Sequence, residues 1–124
     1  MLRCPIRKAV AIALTALACA AGWSGFAATS SPGKGDPAAG KKIFLVKCVA
    51  CHKADGSGGV KLTGNATPNW RDAKRMADPK FDDDYLRDCI TNGKTKSGMV
   101  AWKSQIKPAD IENLIAHIRS FAKK

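Results

Sequence analysis

The chain has 124 residues, 21 of them basic and 10 acidic, for a net charge of +11. With 45% hydrophobic and 25% charged residues it has the composition of one small globular domain and not of a disordered polycation. No apolar run reaches the roughly 18 residues of a membrane span.

Residues 1–27 predict an export signal. Arg3, Arg7 and Lys8 form a basic front end, and Ala9 to Ala21 is an apolar core of signal-peptide length, short for a bilayer anchor. Gly25-Phe26-Ala27 offers a small-residue cleavage site, with Ala16-Leu17-Ala18 as an earlier alternative. Residues 28–35 then read as a Ser/Gly/Pro-rich flexible linker, and residues 36–124 as the folded domain. The signal holds three of the basic residues and none of the acids, so the mature chain keeps 18 against 10, or +8 over 97 residues. A domain this small buries a modest core and often needs a staple.

Cys4 and Cys19 fall within the signal. Ala16-Leu17-Ala18-Cys19 resembles a lipoprotein box only in part, because Ala16 stands where a large aliphatic residue is usual. Cys48, Cys51 and Cys89 remain, an odd number that argues against a disulfide framework. Cys48-Val49-Ala50-Cys51-His52 is the pattern C-x-x-C-H. Two thiols three residues apart can add to the two vinyl groups of a haem, while the adjacent imidazole lies under the iron as an axial ligand. A thioredoxin-like reading would want a βαβ setting, which is missing. A zinc reading would want two more ligands, and Cys89 and His117 are single and distant. Haem attachment of this kind takes place outside the cytoplasm, so the motif and the export signal agree.

Further along, Asp36-Pro37 opens a helix to about Val46, with an acceptor at the cap and proline at the first position. Lys53 to Trp70 is a long loop with Gly and Pro throughout, which wrapping a flat cofactor explains. Asp72 to Met76 predicts a short helical turn. Asp82 to Asp84 start another helix, which runs through Leu86, Cys89 and Ile90 to Asn92-Gly93; capping accounts for these acids without a calcium site. Lys94 to Gln105 is a second loop. Pro108 opens the last helix, whose Ile111, Leu114, Ile115, Ile118 and Phe121 recur at spacings of three and four. Lys107 is a poor cap, so fraying is expected there. No stretch alternates as a strand would, and the expected class is all-α.

A haem iron held by one histidine keeps a sixth position. Met99 is the best candidate, in a loop between two helices beside Gly98. Met76 lies in a short helix and reads as core or cover, His117 as a packing or surface-capping residue of the last helix, and Cys89 as a small apolar core residue. With Met99 bound, both axial positions are filled, sulfur favours reduced iron, and one electron moves with little change in geometry.

These residues resemble the class I cytochrome c family of small bacterial monohaem proteins, from about Asp36 to Phe121. Gly40 and Phe44 look like the family's small/aromatic pair that meets the terminal helix, and Cys48, Cys51 and His52 match its haem motif. Thr67-Pro68-Asn69-Trp70 resembles the loop whose carbonyl accepts a hydrogen bond from the proximal imidazole. Gly98-Met99-Val100-Ala101-Trp102 looks like the methionine-ligand loop, and Leu114 to Phe121 like the terminal-helix signature. The resemblance implies an all-α, cytochrome c-like domain around one covalent haem c and its iron, acting as an electron carrier and not an enzyme. Three departures stand out. Val100 replaces the usual proline after the ligand methionine. His117 stands where an aromatic is usual, which implies a weaker contact between terminal helices. The Gly59–Pro68 spacing is long, so residues 60–62 offer a second source for the carbonyl facing His52.

Lys47 and Lys53 flank the haem turn, and Lys94, Lys96 and Lys103 flank Met99. They are expected to ring the cofactor edge and steer a periplasmic monomer onto acidic patches of redox proteins such as a dehydrogenase, reductase or oxidase. A nucleic-acid partner has no motif to support it. The competing function is a haem peroxidase or gas sensor with a labile Met99, to which the missing proline lends support.

Overall fold

The computed structural model describes residues 35–122. The expected export signal, most of the linker, and Cys4 and Cys19 lie outside the described residues. Among those described there are five α-helices and no strand: α1 (Pro37–Lys47), α2 (Val49–His52), α3 (Ala73–Ala77), α4 (Asp83–Asn92) and α5 (Pro108–Phe121). Short 3₁₀ turns at Pro79–Phe81 and Thr95–Ser97 punctuate the connections.

Aspartates set most of the helix starts, because a carboxylate satisfies an amide that the first turn leaves without a partner. Asp36 accepts from the Ala38 amide at 2.8 Å, Asp72 from Arg75 at 3.1 Å and Asp82 from Tyr85 at 2.8 Å. Lys107 makes no side-chain cap. There Pro108 fills the first position, where no amide is needed, and the Asp110 and Ile111 amides both bond the Lys107 carbonyl at 3.0 Å.

The core is the crossing of α1 and α5. Gly40 makes it possible: a Cβ there would lie 1.9 Å from the Asn113 carbonyl oxygen, so only a bare backbone fits. One turn on, Phe44 is fully buried and meets Phe121 and His117 at ring-centroid distances of 5.5 and 5.1 Å. Of the two readings of His117, packing holds and surface capping does not. It is buried and not a surface cap, and it packs edge-on against Phe44 and Phe121, so it acts as the aromatic contact it was expected to weaken. Arg119 ties α5 to the middle of the chain. Its guanidinium donates to the Met76 carbonyl at 2.7 Å, the Phe81 carbonyl at 2.5 Å and the Asp83 carboxylate at 2.7 Å.

Candidate functional site

Cys48 caps α2, a single turn whose His52 amide returns to the Cys48 carbonyl at 3.0 Å. That turn puts Cys48, Cys51 and His52 on the wall of one cavity of about 370 Å³, within the usual range of a cofactor pocket. Met99 reaches the same wall from the second loop. Its backbone is pinned by paired bonds with Lys94 (2.9 and 3.2 Å), and Gly98 turns the chain just before it at φ +81°. All four residues singled out in the sequence therefore face one space, although 47 positions separate His52 from Met99.

Met76 and Cys89 line this cavity too, and both are buried in the core. The sequence reading placed them as packing residues without placing them at the site. His117 is not on the wall. The three acids at the start of α4 are spent locally: Asp82 on its cap, Asp83 on Arg119, Asp84 on Arg87. No group of acidic, histidine and cysteine side chains among the described residues could hold a metal ion by itself.

Burial raises the Cys48 thiol to about 11, with Cys51 beside it adding to the effect. Burial also lowers His52 to about 4, so its imidazole is neutral, the form that binds a metal. The Nδ1 atom of His52 is buried without a hydrogen-bond partner, a cost that a protein carries only for a reason. The expected carbonyl from the Pro68 loop does not reach it. That loop bonds itself instead: Gly59 donates to the Thr67 carbonyl at 2.9 Å, Thr67 to Val60 at 2.8 Å and Trp70 to Gly56 at 2.9 Å. The Thr67 hydroxyl donates to the Cys51 carbonyl at 2.8 Å, which fixes the loop to the C-x-x-C-H turn. Trp70, which the sequence marks only as part of a loop, stacks on the His52 ring.

Of the five flanking lysines, only Lys47 and Lys94 line the cavity. Lys47 lies 5.3 Å above the Trp102 ring, and Lys94 lies 5.0 Å above Tyr85 while pairing with Asp88 at 3.5 Å. Lys53, Lys96 and Lys103 are exposed and off the wall, so the expected ring is only partly formed by them. Arg75 completes the cationic side of the wall with its guanidinium 4.3 Å from the Phe81 ring centre. Folding of α3 brings it there, which no local motif signals.

Two thiols, a neutral imidazole and a thioether around one apolar cavity, within an all-helical shell, define a c-type cytochrome domain. The comparisons agree. The family described as "Cytochrome C oxidase, cbb3-type, subunit III" matches residues 35–118, and the chain belongs to this cytochrome c family, whose cofactor is covalent haem c with its iron. It is 33% identical over 85 residues to the cbb3-type cytochrome c oxidase subunit FixP of Bradyrhizobium sp. (strain ORS 278) and 31% identical over 93 residues to cytochrome c6 of Limnospira maxima. Those matches cover 68% and 73% of the chain; they span about a quarter of FixP (27%) and nearly all of cytochrome c6 (98%). Among solved structures, the KustC0563 c-type cytochrome superposes with a TM-score of 0.53 at 26% identity, over 66% of this chain and 95% of its own. Cytochrome CL of Methylophaga aminisulfidivorans MPT gives 0.53 at 21% identity over 70% and 58%, a likeness of fold. No described helix is long and apolar enough to cross a membrane.

Proposed function

We propose that the chain is a periplasmic single-haem electron shuttle. In this reading Cys48 and Cys51 would carry the two thioethers of haem c, His52 and Met99 would hold its iron, and residues 1–27 direct export. The convergence of these four side chains on one cavity wall supports it most directly. The haem supplies an iron that cycles between two oxidation states one electron at a time. The polypeptide does the rest. His52 is held neutral by burial, Met99 is presented by a loop tied to Lys94, and apolar residues such as Leu86, Ile90, Leu114 and Ile118 line the wall and exclude water. With His52 and Met99 both holding the iron, no position would be left open to small oxidants.

The test is the mass and visible spectrum of protein made in a host competent for cytochrome c maturation. The expected result is a peptide heavier by one haem, with a low-spin spectrum and a far-red iron–sulfur charge-transfer band when oxidised. A bare peptide mass would overturn the reading. A high-spin spectrum at neutral pH would replace it with the peroxidase or gas-sensor function.

A further inference from the structure

We infer that residues 60–67 brace the turn presenting Met99 against the turn carrying His52, with Leu62 and Thr63 as positioning residues of Met99; the inference rests on the reading of Met99 as an iron ligand. The stretch is a loop closed at its neck. The Thr67 amide donates to the Val60 carbonyl at 2.8 Å, and the Val60 amide donates to the Thr67 hydroxyl at 3.0 Å. That hydroxyl donates in turn to the Cys51 carbonyl at 2.8 Å, so the neck is fastened one residue away from His52. The tip reaches the methionine turn. There the Thr63 hydroxyl donates to the Lys96 carbonyl at 3.1 Å, across 33 positions of sequence. Leu62 lies on Gly98, where an added Cβ would stand 2.9 Å from the Leu62 Cβ. The Gly64 backbone passes the same Lys96 carbonyl, whose oxygen would lie 3.1 Å from a Cβ there.

The methionine turn needs such a hold. Its own bonds are internal: the Ser97 amide donates to Lys94 at 2.8 Å, Gly98 to Thr95 at 3.0 Å, and Lys94 and Met99 bond each other. Bonds that close a turn on itself give it shape and leave it free to swing as a unit. The chain at its ends is permissive, with Gly93 at φ +74° and Gly98 at +81°. Val100 has no ring to fix its φ and is 57% exposed. Gly93 supplies one hold, since a Cβ there would lie 2.6 Å from the Met99 carbonyl oxygen. Leu62 and Thr63 supply a second at Lys96 and Gly98, and Leu62 shares the cavity wall with Gly98 and Met99. Swinging the turn outward breaks the Thr63–Lys96 bond and uncovers Leu62. The brace therefore keeps the thioether at the cavity, and it weighs against the labile methionine that a peroxidase or gas sensor requires.

The test is an imidazole titration of the oxidised holoprotein, read by loss of the far-red iron–sulfur band, together with amide hydrogen exchange at Gly98 and Met99. Thr63→Val keeps the shape and removes the donor. It should bind imidazole about five-fold more tightly, the worth of one net hydrogen bond. The Gly98 and Met99 amides should exchange faster by a like factor, while those of α1 and α5 keep the parent's rates. Thr63→Ser restores the donor and should return both readings to the parent's. Leu62→Ala should act in the same direction as Thr63→Val. If Thr63→Val leaves either the imidazole affinity or the exchange at Gly98 and Met99 at the parent's value, the brace is overturned. Faster exchange in α1 and α5 as well, with a lower Tm, would make Thr63 a general stabilising residue and overturn it equally. A parent lacking the far-red band, or a Met99→Ala protein retaining it, is a different failure, that of the ligand reading; exchange at Gly98 and Met99 then still judges the brace.

Discussion

Met99 and Met76 share one cavity wall, and the backbone distinguishes them. Met76 is fixed within α3, buried at 8% exposure, whereas Met99 follows a left-handed glycine in a loop. Replacing Met99 with alanine should abolish the far-red iron–sulfur band and open the iron to added imidazole or cyanide. Met76→Ala should leave the band in place and lower Tm alone. Spectra of the two variants side by side decide this. Titration offers a second check at this scale. The bidentate Arg87–Glu112 pair (2.6 and 2.9 Å) holds the Glu112 carboxyl below its ordinary value of 4.5. The folded protein thus binds fewer protons here than the unfolded chain, so the pair's contribution is complete above that value and disappears as pH falls through the lowered one. Both partners are more than a third exposed, which limits the contribution to under about 1 kcal/mol. Glu112→Gln should therefore melt slightly lower than the parent near neutrality and show a smaller loss of Tm on acidification. The thiols, the imidazole and Met99 were legible in the sequence because local spacing and a loop position carry them. Trp70 and Arg75 were not, because stacking on His52 and arrival at the cavity wall depend on where a loop and α3 pack.

Among the elements, the α1–α5 crossing has the least tolerance. Gly40→Ala sets a Cβ against the Asn113 carbonyl, and the helices can relieve it only by separating. The expected loss is about 3 kcal/mol, read from denaturant unfolding of the holoprotein. An unchanged midpoint would mean that the two helices do not meet at this glycine. The helix starts were readable from Asp36, Asp72 and Asp82, since each carboxylate caps amides two or three residues away. Their partners in space were not. Arg119 bonds Met76, Phe81 and Asp83 across 36 to 43 positions, and nothing near it in sequence announces that. His117 was left between packing and surface capping for the same reason: a histidine on an apolar helix face is ambiguous until Phe44 and Phe121 are seen to close around it. The loop over residues 53–70 was legible as irregular, but its inner bonding was not, and neither of the two carbonyl sources expected for His52 bonds its Nδ1.

Across the whole molecule the acids are engaged locally, five of them in ion pairs. All ten take part in a cap, ion pair or side-chain bond, from Asp36 on the Ala38 amide to Glu112 on Arg87. The surplus charge therefore resides on lysines, of which Lys53, Lys96 and Lys103 stand exposed near the site in sequence. Such a surface attracts acidic partners over a range set by ionic strength. The association rate with an acidic redox partner should fall steeply between low and physiological salt in stopped-flow measurements, and a flat dependence would refute steering. The crossing of the first and last helices has one more consequence, for the newly made protein. Phe44 cannot be covered until Phe121 has emerged, nearly eighty positions later by the sequence, and domains fold as units. Through that interval the cavity wall carried by the intervening turn has no closing partner, so a chain that ends short of α5 should leave the pocket open.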